Sequence, residues 1–320
     1  MKNLKLFFAT LMALVASLSL IAPASAQQFP DRPIRIIVGF GPGGPTDVVA
    51  RGIAESLRKQ FTNASVIVEN RPGASGLIAA NLVRNGEGDG YRLFVGAAYV
   101  FHPLFDPNGF DALKDMALVS PLVQLDWLVC VPASIGVNNL QEFAKYVKDN
   151  PNKAFSGSVS ATTSLLSSVL ARKLGVSLTD VSYKTSEQVT LGLLGGEVQM
   201  GVNASSAFLP HIKSGKLKVI STYSPARIAY LPEARTALEQ GVDINILNGY
   251  GLWAHKDTPR PVIERLNKAV RVALEEPQLR ASFESNLLTP ITLSSEQFWA
   301  EQRRLIDFYS EAVKHSPIQR

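Results

Sequence analysis

Nine residues, GFGPGGPTD at positions 39–47, hold the densest set of groups able to do chemistry. They follow the apolar run IRIIV and precede VVARGIAESLRKQ. Gly39, Gly41 and Gly44 fit G-x-G-x-x-G between a strand and a helix, the pattern of a dinucleotide site. The same stretch also reads as G-x-x-x-x-G-P-T, a P-loop whose lysine position holds Pro45. Without that lysine a P-loop lacks its γ-phosphate contact, and Pro42 and Pro45 remove amide donors from the turn that must cradle pyrophosphate. Glu69 ends the next strand, further along than the roughly 20 residues at which a ribose-binding acid is expected. What remains is an anion site. Gly43 and Gly44 permit close backbone approach, Thr46 or Asp47 can cap the helix, and the helix start offers free N–H groups with a partial positive charge. A carboxylate could be held there without arginine; the alternative is a tight, well-capped turn that holds nothing.

Other reactive residues point to no enzyme. The four histidines, His102, His211, His255 and His315, are far apart and form no H-x-x-x-H or H-E-x-x-H pair for a metal. No G-x-S-x-G elbow occurs. Cys130 is the only cysteine and lies in the apolar run WLVCVP, so it reads as a buried small hydrophobe and cannot form an internal disulfide. No cofactor is implied.

The elements that must position the glycine loop begin after an export leader. MKNLK is basic, LFFATLMALVASLSLIA is apolar, and ASA is a small-x-small site, so residues 1–26 read as a signal peptide cleaved after Ala26. The remainder of the 320 residues is long enough for two modest domains. The formal net charge is +5, and Lys2 and Lys5 of the leader account for two of it. The small excess left suits attraction of small anions, and without a basic cluster interleaved with aromatics it excludes nucleic acid. β-Branched runs alternate with amphipathic stretches along the chain: IRIIVGF, SVIVEN, LVCVP, KAFSGSVS, LTDVSYK, VQMGVN and LKVISTYS each precede a helical pattern, the last one ARTALEQG, and YRLFVGAA follows the helical GASGLIAANLVRN. This is the pattern of mainly parallel α/β sheets with helices on both faces, in which ligands lie beyond the C-terminal ends of strands. PRPVIERLNKAVRVALEEP reads as one helix, and SSEQFWAEQRRLIDFYSEAVKHS as another with a Ser-x-x-Gln cap.

Three early segments, FPDRPIRIIVGFGPGGPTDVVAR, VIVENRPGASGLIAANLV and DGYRLFVGA, resemble the Bug, or TctC-like, family of periplasmic substrate-binding proteins of tripartite tricarboxylate transporters. The likeness continues through DVSYKTSEQVTLGLLGGEVQMGV, FLPHIKSGKLKVIST and DTPRPVIERLNKAV, and covers essentially the whole mature chain in order. The resemblance implies a two-lobed periplasmic binding protein fold of the type II kind, each lobe a mainly parallel sheet flanked by helices, closing over a small organic anion. Lobe 1 would comprise residues 27–126 plus 248–320 and lobe 2 residues 127–247. A monomer is expected, working with membrane permease subunits of the TctA/TctB kind. The rival readings are a ligand-sensing module for a membrane sensor kinase and an exported hydrolase.

The resemblance also implies the contact residues. On lobe 1 these are Gly43, Gly44, Thr46 and Asp47, with Ala74, Ser75 and Gly76 at a second helix start. Asp47, repelled by a carboxylate, either holds the loop or accepts a ligand's ammonium or hydroxyl. On lobe 2, Ser158, Thr162 and Thr163 follow a strand and open a helix, able to donate from the opposite side. Tyr183 matches a PYKG-like segment and is expected in the cleft. Three departures bear on ligand identity: Ser164 stands where many relatives have histidine, Asn203 where an aspartate is common, and GAAYVFHP introduces Tyr99 and Phe101. Those two rings either line the cleft or pack in the core.

Overall fold

A computed structural model describes residues 29–99, 102–104, 106 and 109–315. The expected leader and Phe101 lie outside the described residues. Two sheets organise the chain. The first contains β1 (Ile34–Val38), β2 (Val66–Asn70), β3 (Arg92–Ala97), β4 (Met116–Gln124), β10 (Gly249–His255) and β11 (Thr289–Pro290), in the order β11-β4-β10-β3-β1-β2. The second contains β5 (Trp127–Pro132), β6 (Phe155–Ser158), β7 (Thr179–Ser182), β8 (Met200–Ala204) and β9 (Leu217–Thr222), in the order β7-β6-β8-β5-β9.

Each sheet is mixed, with a parallel trio at one side: β2, β1 and β3 in the first, β7, β6 and β8 in the second. The antiparallel strands are those adjoining the crossovers. β4 leaves the first sheet beside β10, which re-enters it, with Gln124 opposite Gly249. Across the gap β5 starts beside the end of β9, with Leu128 opposite Thr222. The two crossovers, residues 125–126 and 223–248, therefore run side by side. Leu125 N–H donates to the Asn248 carbonyl at 2.8 Å, tying one to the other. The buried Asp126 carboxylate accepts from Gln124 Nε2 at 2.6 Å, Ser224 Oγ at 2.7 Å and the Tyr230 hydroxyl at 2.8 Å, which pins both connections.

The inner strands β1, β3, β6 and β8 are mostly buried, as parallel strands covered on both faces must be, whereas the edge strands β2 and β7 are largely half-buried or exposed. Ile34, Ile36 and Val38 turn toward α1 (Pro45–Gln60), α8 (Arg260–Glu275) and α9 (Pro277–Ser285), while Ile37 turns to the opposite face with Phe94 and Trp253. Helix α1 offers Val49, Ile53 and Leu57 at four-residue spacing, all fully buried; each contributes roughly 1.5–3 kcal/mol of apolar burial. In the second sheet Val129 and Val131 face α5 (Ala161–Lys173), and Leu128 and Cys130 face α6 (Ser186–Gly195) and α7 (Ser205–Lys213). Burial pushes the Cys130 thiol up, so it offers no thiolate. One apolar cluster runs from Phe94 and Phe298 across to Phe143 and Leu166, through α5 and α10 (Ser295–Lys314). Ser294 and Gln297 form the expected capping box on α10.

ARTALEQG corrects the sequence reading. Only Leu238–Gln240 forms a 3-10 turn there. Thr236 bridges to Thr222 and Ala237 N–H bonds the Thr222 carbonyl, so the segment is drawn along the β9 end as the crossover. Gly241, at φ +75°, then stops the turn.

Candidate functional site

The glycine loop joins the end of β1 to α1, and its cap differs from expectation. Gly44 is the N-cap, with no side-chain cap, and Pro45 is the first helical residue. Thr46 and Asp47 thus occupy the second and third helical positions and cap nothing. Asp47 instead reaches back. Its Oδ2 accepts from Gly43 N–H at 2.9 Å and Arg51 Nε at 2.8 Å, and its Oδ1 from Asn70 Nδ2 at 2.8 Å. Asp47 is only 2% exposed. Burial is the largest single influence and raises its pKa, but Arg51, Gly43 and Asn70 together outweigh it and hold the carboxyl below its ordinary range. Of the two roles expected for Asp47, the structure shows the first: it holds the loop. Asn70, at the end of β2, donates also to the Phe40 carbonyl at 2.9 Å, so the loop is fastened at two points.

The loop after β2 is set against it. A Cβ on Gly39 would stand 2.4 Å from the Gly76 Cα, so the two loops touch backbone to backbone. Gly76 has φ +96°, and a Cβ there would lie 2.2 Å from the Tyr99 hydroxyl. Ala74 (φ 45°) and Tyr99 (φ 49°) are left-handed, a conformation that costs non-glycine residues about 1–3 kcal/mol each. Ala74, Ser75 and Gly76 form a 3-10 turn leading into α2 (Leu77–Arg84). The Tyr99 ring stacks with Phe94 (centroids 6.2 Å apart) and meets Phe110 edge-on, so the ring belongs to the core while its hydroxyl reaches Gly76. Burial foremost, then the neighbouring Tyr250, pushes the Tyr99 phenol up.

Tyr250 is the residue the sequence reading missed. It stands at the start of β10, opposite Ala97 at the end of β3, and hence at the same sheet edge as the two loops. Burial raises its pKa, and the Thr46 hydroxyl, its hydrogen-bond partner, lowers it. Thr46 is 2% exposed. Its hydroxyl therefore serves Tyr250 first. The lobe 1 edge thus combines two tyrosine hydroxyls with the N–H groups of Thr46 and Asp47, which helix geometry leaves without intrahelical acceptors.

On the second sheet the candidates divide. Ser158 ends β6, but its hydroxyl donates to Asp180 Oδ2 at 2.7 Å, so its proton is already committed. Thr163 is buried and completes a capping box: its Oγ1 accepts from Val159 and Ser160 N–H and donates to the Ser160 carbonyl at 3.1 Å. The expectation that Thr163 donates to a ligand is revised. Thr162 is half-buried in the first turn of α5. The Tyr183 ring lies on Gly157 and Gly192, and its hydroxyl donates to Glu197 at 3.1 Å. Glu197 follows the C-terminal end of α6, so Tyr183 points away from the strand ends rather than into the cleft. Asn203 is 4% exposed near the end of β8. Its Oδ1 accepts from Ala204 N–H at 2.9 Å and the Ser186 hydroxyl at 3.3 Å, and its Nδ2 has no partner among the described residues.

Helix starts α1 and the Ala74–Gly76 turn on one sheet, and α5 and α6 on the other, all follow C-terminal ends of parallel strands. Such starts attract anions. Among the described residues no group of three or more His, Cys, Asp or Glu could hold a metal, and no helix is long and apolar enough to cross a membrane.

Known proteins share this fold. The profile of the tripartite tricarboxylate transporter family receptor (TctC) matches residues 49–307. A UPF0065 protein from the gbd 5′ region of Cupriavidus necator is 34% identical over 308 residues, 94% of this chain and 91% of that protein. A TctC solute-binding protein from Polaromonas superposes with a TM-score of 0.80 at 26% identity, covering 90% of this chain and 100% of that one. MatC from Rhodopseudomonas palustris, solved with bound malate, gives 0.69 at 27% identity, over 89% of this chain and 100% of that one. The chain belongs to the TctC family of tripartite tricarboxylate transporter receptors, which are solute-binding proteins and not enzymes.

Proposed function

We propose that this protein is exported to the periplasm, captures a small organic carboxylate between its two lobes, and delivers it to membrane subunits of the TctA/TctB kind. The observation that carries the reading is that helix starts follow the C-terminal strand ends of both sheets, which paired crossovers join. Backbone N–H groups, the Tyr250 hydroxyl and Thr162 supply neutral donors, and Arg51, which reaches the glycine loop, is already paired with Asp47. The malate bound by MatC, a relative by fold and family, supports the same chemistry.

Within this reading the lobes are residues 27–126 plus 248–320 and residues 127–247, hinged at the crossovers. The lobe 1 contacts are Gly43, Gly44, Thr46, Ala74, Ser75 and Gly76 through their backbone, with Tyr99 and Tyr250 through hydroxyls. Asp47 supports the loop. Those of lobe 2 are Thr162 and Asn203, with Ser158 as an acceptor. Export rests on the leader pattern of residues 1–26 and cleavage after Ala26.

A thermal-shift screen of mono-, di- and tricarboxylates with aromatic acids tests the reading. A ligand at one hundred times its Kd adds about 2.7 kcal/mol of stability. A shift with at least one acid is expected; no shift with any acid would refute the reading.

A further inference from the structure

We propose that Asn203 selects, on the lobe 2 side of the cleft, carboxylic acids that set an oxygen rather than an ammonium against its amide. The proposal rests on the carboxylate-binding reading above and narrows it to a chemical class. Asn203 is the last residue but one of β8, at the edge where α5 and α6 open. Its amide orientation is fixed by chemistry. Ala204 N–H can only donate, so the atom it meets at 2.9 Å must be the oxygen. The Ser186 hydroxyl occupies that oxygen's second lone pair at 3.3 Å. Turning the amide over would set its NH2 against a backbone N–H. Nδ2 therefore faces the other way, on a side chain 4% exposed, and meets no acceptor among the described residues.

Buried donors without acceptors are rare in folded proteins and call for an explanation. Here the residue has two N–H protons to give and no lone pair left to receive. A hydroxyl, carbonyl or carboxylate oxygen pressed against it on closure completes its hydrogen bonding. An ammonium at the same point finds only another donor. Asp180, on β7 of the same sheet, already accepts from Ser156 at 3.2 Å and Ser158 at 2.7 Å. An aspartate at position 203 would keep one oxygen for Ala204 and Ser186 and present the other, negatively charged, where Nδ2 now stands. The choice between amide and acid at this one position thus sets the preference between an acid with a hydroxyl and one with an ammonium at the point it faces.

The test is calorimetric titration of the mature chain with L-malate, succinate and L-aspartate, in the wild type, Asn203→Asp and Asn203→Ala. The wild type should bind malate at least about tenfold tighter than aspartate, the equivalent of one hydrogen bond to a charged or polar partner. Asn203→Asp should reverse that order. Asn203→Ala should weaken malate about tenfold without any gain for aspartate. Equal affinities of the wild type for malate and aspartate, or a ratio in Asn203→Asp within twofold of the wild type, would overturn the proposal. Urea unfolding identifies a variant that fails to fold, and the wild-type ratio then decides alone. If no four-carbon acid binds the wild type, the proposal falls, while the wider acid panel decides the carboxylate reading separately.

Discussion

Asp47→Asn, which leaves the side chain's shape nearly unchanged, should disorganise the glycine loop. The wild-type carboxylate takes three donors: Gly43 N–H and Arg51 Nε on Oδ2, and Asn70 Nδ2 on Oδ1. An amide has one oxygen, so one side must meet donor with donor. If that oxygen stays with Gly43 and Arg51, the contact to Asn70 is lost. Asn70 cannot turn over to compensate, because its Nδ2 also holds the Phe40 carbonyl and its Oδ1 accepts from Arg51 at 3.1 Å. One charge-assisted bond lost is worth about 1.5–3 kcal/mol, discounted somewhat because Arg51 is half exposed. A loss of about 2 kcal/mol in urea unfolding is therefore expected, with weaker binding as the loop loosens. The pH dependence gives a second reading. The folded Asp47 pKa is depressed, so its contribution is complete above the unfolded value and is lost as pH falls through the folded one. Wild-type stability should decline below about pH 4 by more than that of Asp47→Asn. Equal stabilities at neutral pH within about 0.5 kcal/mol, with parallel acid profiles, would refute the argument.

The other predictions separate binding groups from structural ones. Thr163→Val removes a buried capping box and should cost roughly 1 kcal/mol of stability with unchanged affinity, whereas Thr162→Val should do the opposite; unfolding midpoints and calorimetry on both decide. Tyr250→Phe keeps the ring and removes the hydroxyl at the edge shared with Thr46, and should weaken ligand binding by about 1.5–3 kcal/mol, while Tyr183→Phe should leave affinity unchanged. Gly39→Ala places a methyl 2.4 Å from the Gly76 backbone, so it should destabilise by at least about 1–3 kcal/mol, read as a lowered Tm.

The sequence made the strand–glycine loop–helix unit legible because its signals are local: IRIIV, then glycines and prolines, then apolar residues at helical spacing. The roles within the loop depended on distant partners. Asp47 looked like a cap, but Pro45 starts the helix two residues earlier than a Thr46 cap allows, and Asn70 from the next strand draws the carboxylate back. Tyr250 lies far from the loop in sequence and joins it only because β10 pairs antiparallel with β3. Tyr183 was misplaced for a related reason. A residue just after a strand faces either the cleft or the covering helix according to the pleat, and Gly157 and Gly192 leave a slot that takes its ring under α6. Ser158 and Thr163 have the right type and position, yet Asp180 and the Ser160 cap claim their hydroxyls. The unpaired donor of Asn203 becomes visible only once Ala204 and Ser186 are placed around it.

The central claim, that neutral donors on two lobes hold an anionic carboxylate, is tested most directly by comparing an acid with its own uncharged amide. The acid giving the largest thermal shift in the carboxylate screen would be titrated calorimetrically against the mature chain, alongside its amide. Helix starts and hydroxyl donors favour the charged oxygen, so the acid should bind at least about a hundredfold tighter, the roughly 3 kcal/mol of two charge-assisted hydrogen bonds. Buried contacts are weakly screened, so its affinity should fall only modestly between low and physiological salt. Equal binding of acid and amide would contradict the account.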